Sequence, residues 1–572
     1  MTATIHIPAI WRLIKAIMNI CFAAFLLCVL VFCFFYLFSS HDYLARWYYG
    51  LNSCFFESDT WDTIIFTKNV KSNGNTYCII AILITLMALL YMVRERKKNN
   101  STANDAIIRL EIPDLLLVFS GIIIGFFFWI LGSYMARPSY DEVFSAQYVA
   151  DIHPFQGLSY YMLPNNHLLF NLLNNLFFRH TGSTVFTGRI LSLIAYCSFI
   201  TASFFWFKKL INNRWLAFLT SIVLAAQFQV WGFSFQARGY ELYLLCEWGA
   251  VISLFSYLRH NDSRWLALQV LCIAGGYLCM PSFLYMHAAL LLFMVLYQLV
   301  YRKWETAFYK YQLFAIALSF LFYLPTLCFS GIKLITSNNY VASMDSYKTT
   351  GAFCSWLFPS FLPYLGHLFS DAQPSHYPWY LLLFILPLGL LLNRKNKTHF
   401  SLGLFYISMW CAFFVIVIAM RRPPFERNLI GHYSITLGSI LLMIYWLAGL
   451  PWKMKTRMPQ LILYTAVLVL FLVHFIKGNQ ELIKDTLYEY NVNDTYTVID
   501  KGLSDIPPGS SVGFSKLAFY CYFVCREHGC KVSKCDTGTE AYFVRHTSDE
   551  PPAGDKYTLI KSFDAYELYK KN

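Results

Sequence analysis

The chain has 572 residues, of which 57% are hydrophobic and only 13% are charged, and its mean hydropathy is +0.46. A soluble chain of this length carries about a quarter charged residues. The composition therefore excludes an ordinary soluble protein and indicates one whose solvent is the lipid bilayer. The formal net charge of +13 does not indicate a nucleic-acid partner, because the Lys and Arg residues lie mostly in short clusters between apolar runs, as the positive-inside rule requires.

Apolar runs close to the ~20 residues that cross a bilayer recur along the chain. Lipid permits only helices or closed barrels, and runs this long without alternation indicate helices. The first run follows Arg12 and Lys15 but is too long for a signal-peptide core, so it is predicted to be a retained helix. The sequence predicts about 13 transmembrane helices, near residues 9–38, 77–93, 114–135, 185–208, 214–232, 240–258, 264–281, 282–300, 311–327, 378–392, 400–420, 428–449 and 459–476.

The basic clusters predict the orientation of these helices. If the N-terminus is cytoplasmic, every second loop should be basic, and all the clusters then fall on the cytoplasmic side: Arg94/Arg96/Lys97/Lys98, Lys208/Lys209/Arg214, Arg259/Arg264, Arg302/Lys303/Lys310, Arg394/Lys395/Lys397 and Lys453/Lys455/Arg457. The opposite, outer face receives residues 39–76, 136–184, 328–377 and 480–572, with short turns at 233–239 and 421–427. The long segments therefore share one side.

The tail changes character near residue 480, where charges and a Pro-Pro-Gly turn appear. The stretches SSVGF, EAYFV and YTLIKSF are typical of strands, and the tail is interpreted as a small soluble α/β domain. Between the first two stretches, a helix whose apolar face packs on the sheet is predicted from Leu517, Tyr520, Cys521, Val524 and Cys525. The four cysteines Cys521, Cys525, Cys530 and Cys535 either form disulfides in an oxidising compartment or bind a metal, although their spacing matches no standard zinc motif.

The segment RPSYDEVFSAQYVADIH, residues 137–153, emerges on the predicted outer face directly after a span. It places the adjacent acids Asp141 and Glu142 beside Arg137 at the membrane boundary. Two interpretations remain open. The acids are catalytic, or they belong to a helix N-cap, since SYDE offers Ser139 or Asp141 as the cap ahead of Glu142.

The next polar stretch, LPNNHLLFNLLNN at residues 163–175, is amphipathic. A helix with this pattern is expected to lie in the membrane interface rather than to cross the bilayer. His167 is either a hydrogen-bonded structural residue or a binding residue, and the sequence shows no partner for it at metal-ligand spacing. Asn166 precedes it and is a second candidate.

Two short turns on the predicted outer face carry positive charge, against the inside rule. FSFQARGYELYLL places Arg238 and Tyr240 at the head of a span, and MRRPPFERNLIGHY places Arg421, Arg422, Glu426 and Arg427 at the head of another. Arginines at the boundary are costly and are usually paired or functional, and a guanidinium is well shaped to bind a phosphate. The alternative is an ordinary ion pair between Glu426 and one of these arginines.

The order of these features resembles the GT-C superfamily of polytopic glycosyltransferases, which contains protein O-mannosyltransferases and the lipid A aminoarabinose and galacturonic acid transferases. The resemblance rests on Asp141-Glu142 after an early span, PNNHLL, GRILSLI at 188–194, QARGYEL at 236–242, PPFERNL at 423–429 and the soluble tail. It covers about residues 114–572. The domains predicted are therefore 1–113, an N-terminal transmembrane hairpin and basic cytoplasmic linker; 114–478, a GT-C-like transmembrane catalytic core; and 479–572, a periplasmic soluble α/β domain.

The resemblance implies a sugar donor on a polyprenyl phosphate and a hydroxyl acceptor on lipid, glycan or protein, with membrane lipid around the chain and no nucleic acid. By resemblance Asp141 is the general base and Glu142 assists it or organises the loop. Arg238, Tyr240 and Arg427 are the predicted phosphate-binding residues, with Arg189 as a further candidate. A polytopic transporter or flippase of lipid-linked sugars is the alternative, although the sequence shows no related halves.

The predicted location is a multi-pass protein of the bacterial inner membrane with the active site facing the periplasm; an endoplasmic reticulum membrane is the alternative. The acidic pair Asp141-Glu142 also suits a divalent metal ion, but the sequence supplies no complete set of ligands for one.

Overall fold

The computed structural model describes residues 2–5, 8–51, 65–98, 108–150, 152–161, 166–178, 184–211, 213–336, 349–369, 373–421, 424–449, 458–492, 495–515, 517–533, 539–552 and 556–572. The helices are α1 (Pro8–Phe38), α2 (His41–Leu51), α3 (Lys68–Lys98), α4 (Ile112–Met135), α5 (Tyr140–Ser145), α6 (Pro154–Ser159), α7 (Leu168–Phe178), α8 (Thr184–Ile211), α9 (Arg214–Ala226), α10 (Phe228–Ser234), α11 (Tyr240–His260), α12 (Ser263–Cys279), α13 (Leu284–Tyr301), α14 (Thr306–Phe329), α15 (Ile332–Thr336), α16 (Thr350–Leu368), α17 (Tyr377–Ile385), α18 (Lys397–Met420), α19 (Ile430–Gly449), α20 (Met458–Val492), α21 (Thr495–Leu503) and α22 (Phe519–Glu527).

Eleven helices in the described part of the chain are long and apolar enough to cross a membrane, or twelve if a bent pair counts as one span. The eleven coincide with eleven of the thirteen predicted spans, so the polytopic helical fold class is confirmed. The span predicted at 214–232 is the bent pair, in which α9 and α10 meet at 72° around Gln227. The span predicted at 264–281 is α12, a shorter apolar helix that ends at Cys279 before Pro281.

The interior of the bundle is one continuous apolar core to which α8, α11, α13, α18 and α19 contribute. Helices α11 and α19 are the most enclosed of the spans, with 72% and 83% of their apolar windows buried. Helices at the periphery, such as α3 and α20, leave most of their apolar side chains exposed, as expected for surfaces that face lipid. The helices that begin at the two charged turns are therefore the central ones.

Four of the segments predicted to share the outer face contact one another at one end of the helices. The hydroxyl groups of Tyr48 and Ser159 are 2.9 Å apart, and the backbone N–H of Tyr161 donates to the Ser330 hydroxyl at 2.9 Å. The Tyr520 hydroxyl of the C-terminal domain donates to the carbonyl oxygen of Pro138 at 2.6 Å. The described residues of these four segments thus form one layer.

The C-terminal domain contains a five-stranded mixed sheet in the order β4-β3-β5-β7-β6. Its strands are β3 (Ser511–Phe514), β4 (Lys531–Ser533), β5 (Tyr542–His546), β6 (Tyr557–Phe563) and β7 (Tyr566–Lys571). Strand β3 is parallel to β4 and β5, while β7 is antiparallel to β5 and β6. The three predicted strands are present, and the predicted helix is α22, whose Tyr520, Cys521, Val524 and Cys525 pack in the core of this domain. Leu517 precedes the helix.

A small element at the predicted cytoplasmic end was not expected. Strand β1 (Thr2–Ile5) pairs antiparallel with β2 (Ile108–Glu111), which leads directly into α4. Periodicity does not predict such short strands, because four residues contain too little alternation. Asp114, in the first turn of α4, forms an ion pair with Lys208 at the end of α8. An ion pair therefore also joins α4 to α8 at this end of the bundle.

The predicted topology makes a direct test possible. Single cysteines introduced at Asp42 and Ser504, in a background whose native cysteines are replaced by serine, are expected to react with an impermeant thiol reagent from the same side of sealed vesicles. A cysteine at Lys395 should react only from the other side, because it lies in a basic loop. Reaction of Asp42 and Ser504 variants from opposite sides would mean that the number of spans between them is wrong by an odd number.

Candidate functional site

The polar segment after α4 starts with a capping box. The Ser139 hydroxyl accepts from the backbone N–H of Glu142 at 3.3 Å, and the Glu142 carboxylate accepts from the backbone N–H of Ser139 at 2.8 Å. This reciprocal pair satisfies two N-terminal donors of α5. The cap interpretation of SYDE is thus correct for Ser139 and Glu142, whereas Asp141 takes no part in the cap.

Glu142 is buried and its carboxylate accepts four hydrogen bonds. Two come from Arg189, with Nε to Oε1 at 2.9 Å and Nη2 to Oε2 at 3.1 Å, and one comes from the Ser139 cap. The fourth is donated by the backbone N–H of Ala237 to Oε1 at 2.7 Å. Burial by itself raises the pKa of Glu142, but the charge and hydrogen bonds of Arg189 and the two backbone donors outweigh it and hold the pKa below its ordinary value.

These contacts give Arg189 and Glu142 a structural role. The Nη1 of Arg189 donates to the carbonyl oxygens of Ala136 at 3.1 Å and Ser133 at 3.4 Å, and the side chain is only 7% exposed. The Arg189 guanidinium therefore donates its hydrogen bonds to Glu142 and to backbone carbonyl oxygens of the protein itself. This contact set differs from the phosphate-binding role predicted for Arg189. Of the two roles predicted for Glu142, the geometry favours organising the loop over assisting in proton transfer, because its carboxylate oxygens already accept four donors.

Asp141 lies between two arginines that are far away in sequence. Its Oδ2 is 2.5 Å from Nη1 of Arg238 and 3.7 Å from Nη1 of Arg427. The Asp141 side chain is 37% exposed, that of Arg427 is 36% exposed and that of Arg238 is 5% exposed. The structure thus brings together the three charged residues that the sequence singled out at three different span ends, and one carboxylate faces two guanidinium groups.

Tyr240 and His167 form the wall behind Arg238. The Arg238 guanidinium lies over the Tyr240 ring at 5.0 Å, and the His167 ring meets the same ring edge-on at 5.0 Å. His167 is 2% exposed, and its Nδ1 is 3.0 Å from the carbonyl oxygen of Cys279. Burial, with a smaller contribution from Arg238, lowers the pKa of His167 to about 3. The imidazole is therefore neutral, with Nδ1–H donating to Cys279.

Gly239 explains how this wall is packed. A Cβ at position 239 would lie 2.8 Å from Cβ of His167, which is closer than side-chain atoms approach. The glycine between Arg238 and Tyr240 therefore allows the His167 side chain to pack directly against the turn. Sequence reasoning noted QARGYEL as a motif but assigned no role to its glycine, and the close approach could not be read from the sequence because His167 lies 72 positions away.

Asn166 does not reach this cluster through its hydrogen bonds. Its amide nitrogen donates to the carbonyl oxygens of Tyr160 at 2.6 Å and Gly157 at 2.9 Å, and its amide oxygen accepts from Asn171 at 3.2 Å. Asn166 thus joins α6 to α7 and has a structural role, in contrast to the substrate contact predicted for it. Helix α7 is present as an amphipathic helix at the predicted position.

A cavity of about 510 Å³ opens beside the charged cluster and includes both Glu426 and Arg427 in its lining. The volume falls in the range of sites for small organic ligands. The side chain of Gln229 also lines it, and Oε1 of this amide has no hydrogen-bond partner among the described residues. The rest of the lining is mainly aromatic, contributed by Phe228, Phe233, Trp356, Tyr364 and Phe425.

The cavity and the charged cluster share one side chain and touch through a second contact. Arg427 belongs to both, and the Phe233 ring in the cavity wall stacks on Tyr240 with ring centroids 4.1 Å apart. The Tyr364 hydroxyl donates to the carbonyl oxygen of Pro424 at 2.8 Å, which ties α16 to the turn that carries Arg427. A ligand in the cavity would therefore reach Arg427 directly.

The C-terminal domain packs on the other side of α5. Val143 of α5 and Ala237 of the Arg238 turn belong to the same apolar core as Tyr520 and Cys521 of α22. Arg137 lies over the Tyr496 ring at 4.9 Å. The tail is therefore in direct contact with the segment that presents Asp141, a relation that the sequence did not predict.

Some predicted features remain untested by these contacts. Within the described ranges, no group of three or more His, Cys, Asp or Glu side chains is arranged to hold a metal ion. Cys521, Cys525 and Cys530 are buried free thiols. Six residues of the sequence motifs lie outside the described residues, as does Cys535; the six are Asp151, Leu163, Pro164, Asn165, Arg422 and Pro423.

No protein-family model matches the chain, and no curated protein matches it. Among solved structures, ArnT from Cupriavidus metallidurans bound to undecaprenyl phosphate is similar with a TM-score of 0.48 and 12% identity, over 79% of this chain and 97% of that chain. The apo state of the same protein is similar with a TM-score of 0.47 and 13% identity, again over 79% of this chain and 97% of that chain. A third similar structure is the archaeal oligosaccharyltransferase AglB from Archaeoglobus fulgidus in complex with an inhibitory peptide and a dolichol-phosphate. Its TM-score is 0.43 and its identity is 11%, over 76% of this chain and 69% of that chain. At such identities residue roles do not transfer, so each role is assigned from contacts in this chain.

The buried ion pair of Glu142 and Arg189, called the clamp below, predicts that the free energy of unfolding depends on pH. Glu142→Gln leaves a buried guanidinium without its counter-ion, and breaking such a pair costs about 3–5 kcal/mol. Because the folded-state pKa of Glu142 lies below the ordinary value of 4.5, its contribution is fully present above that value and is lost as the pH falls through the folded-state pKa. Thermal unfolding in detergent should show a large difference between wild type and Glu142→Gln at pH 7 that shrinks below about pH 4.5.

A double variant serves as the control for this measurement. Glu142→Gln/Arg189→Met removes both charges, so part of the lost stability should return. Equal unfolding temperatures of wild type and Glu142→Gln at pH 7 would show that the clamp does not stabilise the fold.

Proposed function

We propose that the protein is a membrane glycosyltransferase that moves a sugar from a polyprenyl-phosphate donor to a hydroxyl acceptor at the predicted outer face. The observation that carries the proposal is the convergence of Asp141, Arg238 and Arg427. A carboxylate is the group that accepts the proton of an attacking hydroxyl, and guanidinium groups are suited to a phosphate leaving group. The three occur together at the ends of membrane spans, where a lipid phosphate lies.

The reaction requires one displacement. The acceptor oxygen forms a bond to the anomeric carbon while the bond between that carbon and the phosphate oxygen breaks, so the configuration inverts. The acceptor proton passes to Asp141, and the electron pair of the broken bond stays on the polyprenyl phosphate, where Arg238 and Arg427 stabilise the growing negative charge. Atoms and charges balance without a further reactant.

The contacts of Asp141 support an exchange of partners when the donor binds. Asp141 accepts from Arg238 at 2.5 Å, and a phosphate that takes over part of this guanidinium weakens its hold on the carboxylate. The released oxygen of Asp141 then faces the acceptor hydroxyl. The wider spacing to Arg427, 3.7 Å, leaves that arginine as the easier of the two for an incoming phosphate to engage.

The cavity supports a carbohydrate as the group that is transferred. Aromatic side chains offer flat apolar faces to the C–H surface of a sugar, while the Gln229 amide oxygen and the Glu426 carboxylate are acceptors for its hydroxyl groups. The neutral His167 and Tyr240 lie behind Arg238 and hold it in place, so their role in donor binding is indirect.

The first functional prediction concerns Asp141. Asp141→Asn keeps the shape of the side chain but removes the proton acceptor, and loss of a general base typically costs ~10²-fold or more in rate. Sugar transfer from a polyprenyl-phosphate donor by purified, folded protein is therefore expected to fall by at least about 10²-fold. The unfolding temperature should also fall, because the variant removes the carboxylate charge beside the Arg238 guanidinium, which is only 5% exposed.

Asp262→Asn is the matched control for this measurement. Asp262 is also paired with an arginine, Arg264, but lies in a predicted cytoplasmic loop, so transfer should be unaffected. Equal transfer by wild type and Asp141→Asn would remove Asp141 from the catalytic role. If purified wild type scrambles lipid-linked sugar across vesicles but transfers none, the protein is a flippase, the alternative that the sequence left open.

The second functional prediction concerns the shape of the cation at Arg427. Lysine keeps the charge but loses the planar fork that binds two phosphate oxygens. Because charge on the phosphate grows as the bond breaks, the effect of Arg427 should appear in turnover as well as in donor binding. Arg427→Lys is expected to remain partly active, whereas Arg427→Ala should be nearly inactive, as measured by transfer at equal membrane abundance.

A double variant separates this role from a simple ion pair with the neighbouring acid. If Arg427 served only to neutralise Glu426, the variant Arg427→Ala/Glu426→Gln would recover transfer relative to Arg427→Ala. The Arg427 guanidinium faces the Asp141 carboxylate at 3.7 Å, so no recovery is expected. Recovery in the double variant would remove Arg427 from the phosphate site.

A further inference from the structure

Two ionisable side chains lie buried on the two helices that follow the site arginines. Glu247 belongs to α11, which begins just after Arg238, and His432 belongs to α19, which begins just after Arg427. Both side chains are 0% exposed, and Nδ1 of His432 is 3.7 Å from Oε1 of Glu247. The pair lies roughly 13 Å along α11 from Arg238 and roughly 7 Å along α19 from Arg427.

Each member of this pair depends on the other. The separation of 3.7 Å is longer than a hydrogen bond, and in the part of the chain that the structure describes neither carboxylate oxygen of Glu247 nor either ring nitrogen of His432 has a hydrogen-bond partner. Polar groups in a membrane interior are costly unless they are paired. A shift of α11 along α19 would separate the two groups and remove the ion-pair partner that each has in the other.

Gly431 makes the close approach of the two helices possible. A Cβ at this position would lie 1.7 Å from Oε2 of Glu247, a distance at which the two atoms overlap. The carboxylate therefore occupies the space that any other side chain at position 431 would fill. The absence of a side chain, and not backbone flexibility, is the reason that glycine is required here.

Two hydrogen bonds flank the pair and join the same helices. The Trp248 indole N–H donates to the Ser434 hydroxyl at 2.7 Å. Nearer the site, the Tyr243 hydroxyl lies 3.5 Å from the carbonyl oxygen of Asn428. These contacts lie on one side of α11 and continue toward the turn that carries Arg427, so the register of α11 on α19 is determined over three successive levels.

We propose that Glu247, His432 and Gly431 are positioning residues that set the register of α11 against α19 and thereby the separation of the Arg238 and Arg427 guanidinium groups. Two arginines bind one phosphate only if their separation matches it. The consequence for sugar transfer rests on the proposed function, whereas the consequence for the separation of the two helix ends does not.

The test uses Gly431→Ala, which places a methyl group where the Glu247 carboxylate lies. Spin labels at Gln236 and Phe425 report the separation of the two turns, and they are introduced as keto amino acids because the chain contains 16 cysteines. The measured distance is expected to shift on the order of 1–2 Å, the size of helix shifts at packed interfaces. In Gly351→Ala, where an added Cβ has no atom within 4 Å, the distance should be unchanged. An unchanged distance in Gly431→Ala overturns the inference.

A binding measurement tests whether the register acts through the arginines. The dissociation constant of a polyprenyl monophosphate is measured for wild type, Gly431→Ala, Arg427→Ala and the double variant, each as folded protein. If Gly431 acts by placing Arg427, its effect of about tenfold in the wild-type background should largely disappear once Arg427 is alanine. Equal factors in both backgrounds indicate a general loss of structure and overturn the inference.

A second variant and one further comparison keep the test decisive. If Gly431→Ala does not accumulate as folded protein, His432→Leu removes one member of the pair at similar volume and should produce the same distance shift. If wild type binds the phosphate but transfers no sugar, the proposed function fails, and the inference about register is judged on the spin-label distance by itself.

Discussion

The buried carboxylate of Glu142 is the constraint on which the geometry of the site depends. It accepts from Arg189 of α8 and from the backbone N–H of Ala237. Asp141 precedes Glu142 in the chain and Arg238 follows Ala237, so one carboxylate fixes the backbone beside both members of the Asp141–Arg238 pair. A charge buried at this cost is retained only where it is fully compensated, and here the compensation also determines where Asp141 and Arg238 lie.

The charged residues of this region fall into two classes that differ in how completely they are satisfied. Glu142 and Arg189 are buried, and their contacts are with each other and with the backbone, so they have no need of a ligand. Asp141 and Arg427 each expose more than a third of their side chains at a separation of 3.7 Å. A bound phosphate would make new contacts with Arg427 and change its contact with Asp141, while the contacts of Glu142 and Arg189 would stay as they are. The fold can therefore stay rigid while the site changes partners.

The helices and the residue types of the site could be predicted from the sequence, but the pairing between them could not. Spans follow from composition because lipid leaves so few alternatives, and Asp141, Arg238 and Arg427 stand out because charge at a span end needs a reason. Which arginine meets which acid depends on the lateral order of helices, and one sequence contains no information about that order. For this reason Arg189, a further candidate for the phosphate site, is found paired with Glu142. Arg427, a predicted phosphate-binding residue, is found 3.7 Å from Asp141.

The C-terminal domain is a second constraint on the segment that contains Asp141, and it contacts this segment on the side away from the helix bundle. Tyr520 binds the carbonyl oxygen of Pro138 directly before the capping box, and the apolar core of the domain includes Val143 of α5. The segment with Asp141 is therefore held between the bundle and the domain, and neither of these sides is open to a substrate. What remains open is the side of Arg427, where the cavity lies. Under the proposed function, a donor that enters through the cavity would meet Arg427, which lines it, before the buried Arg238.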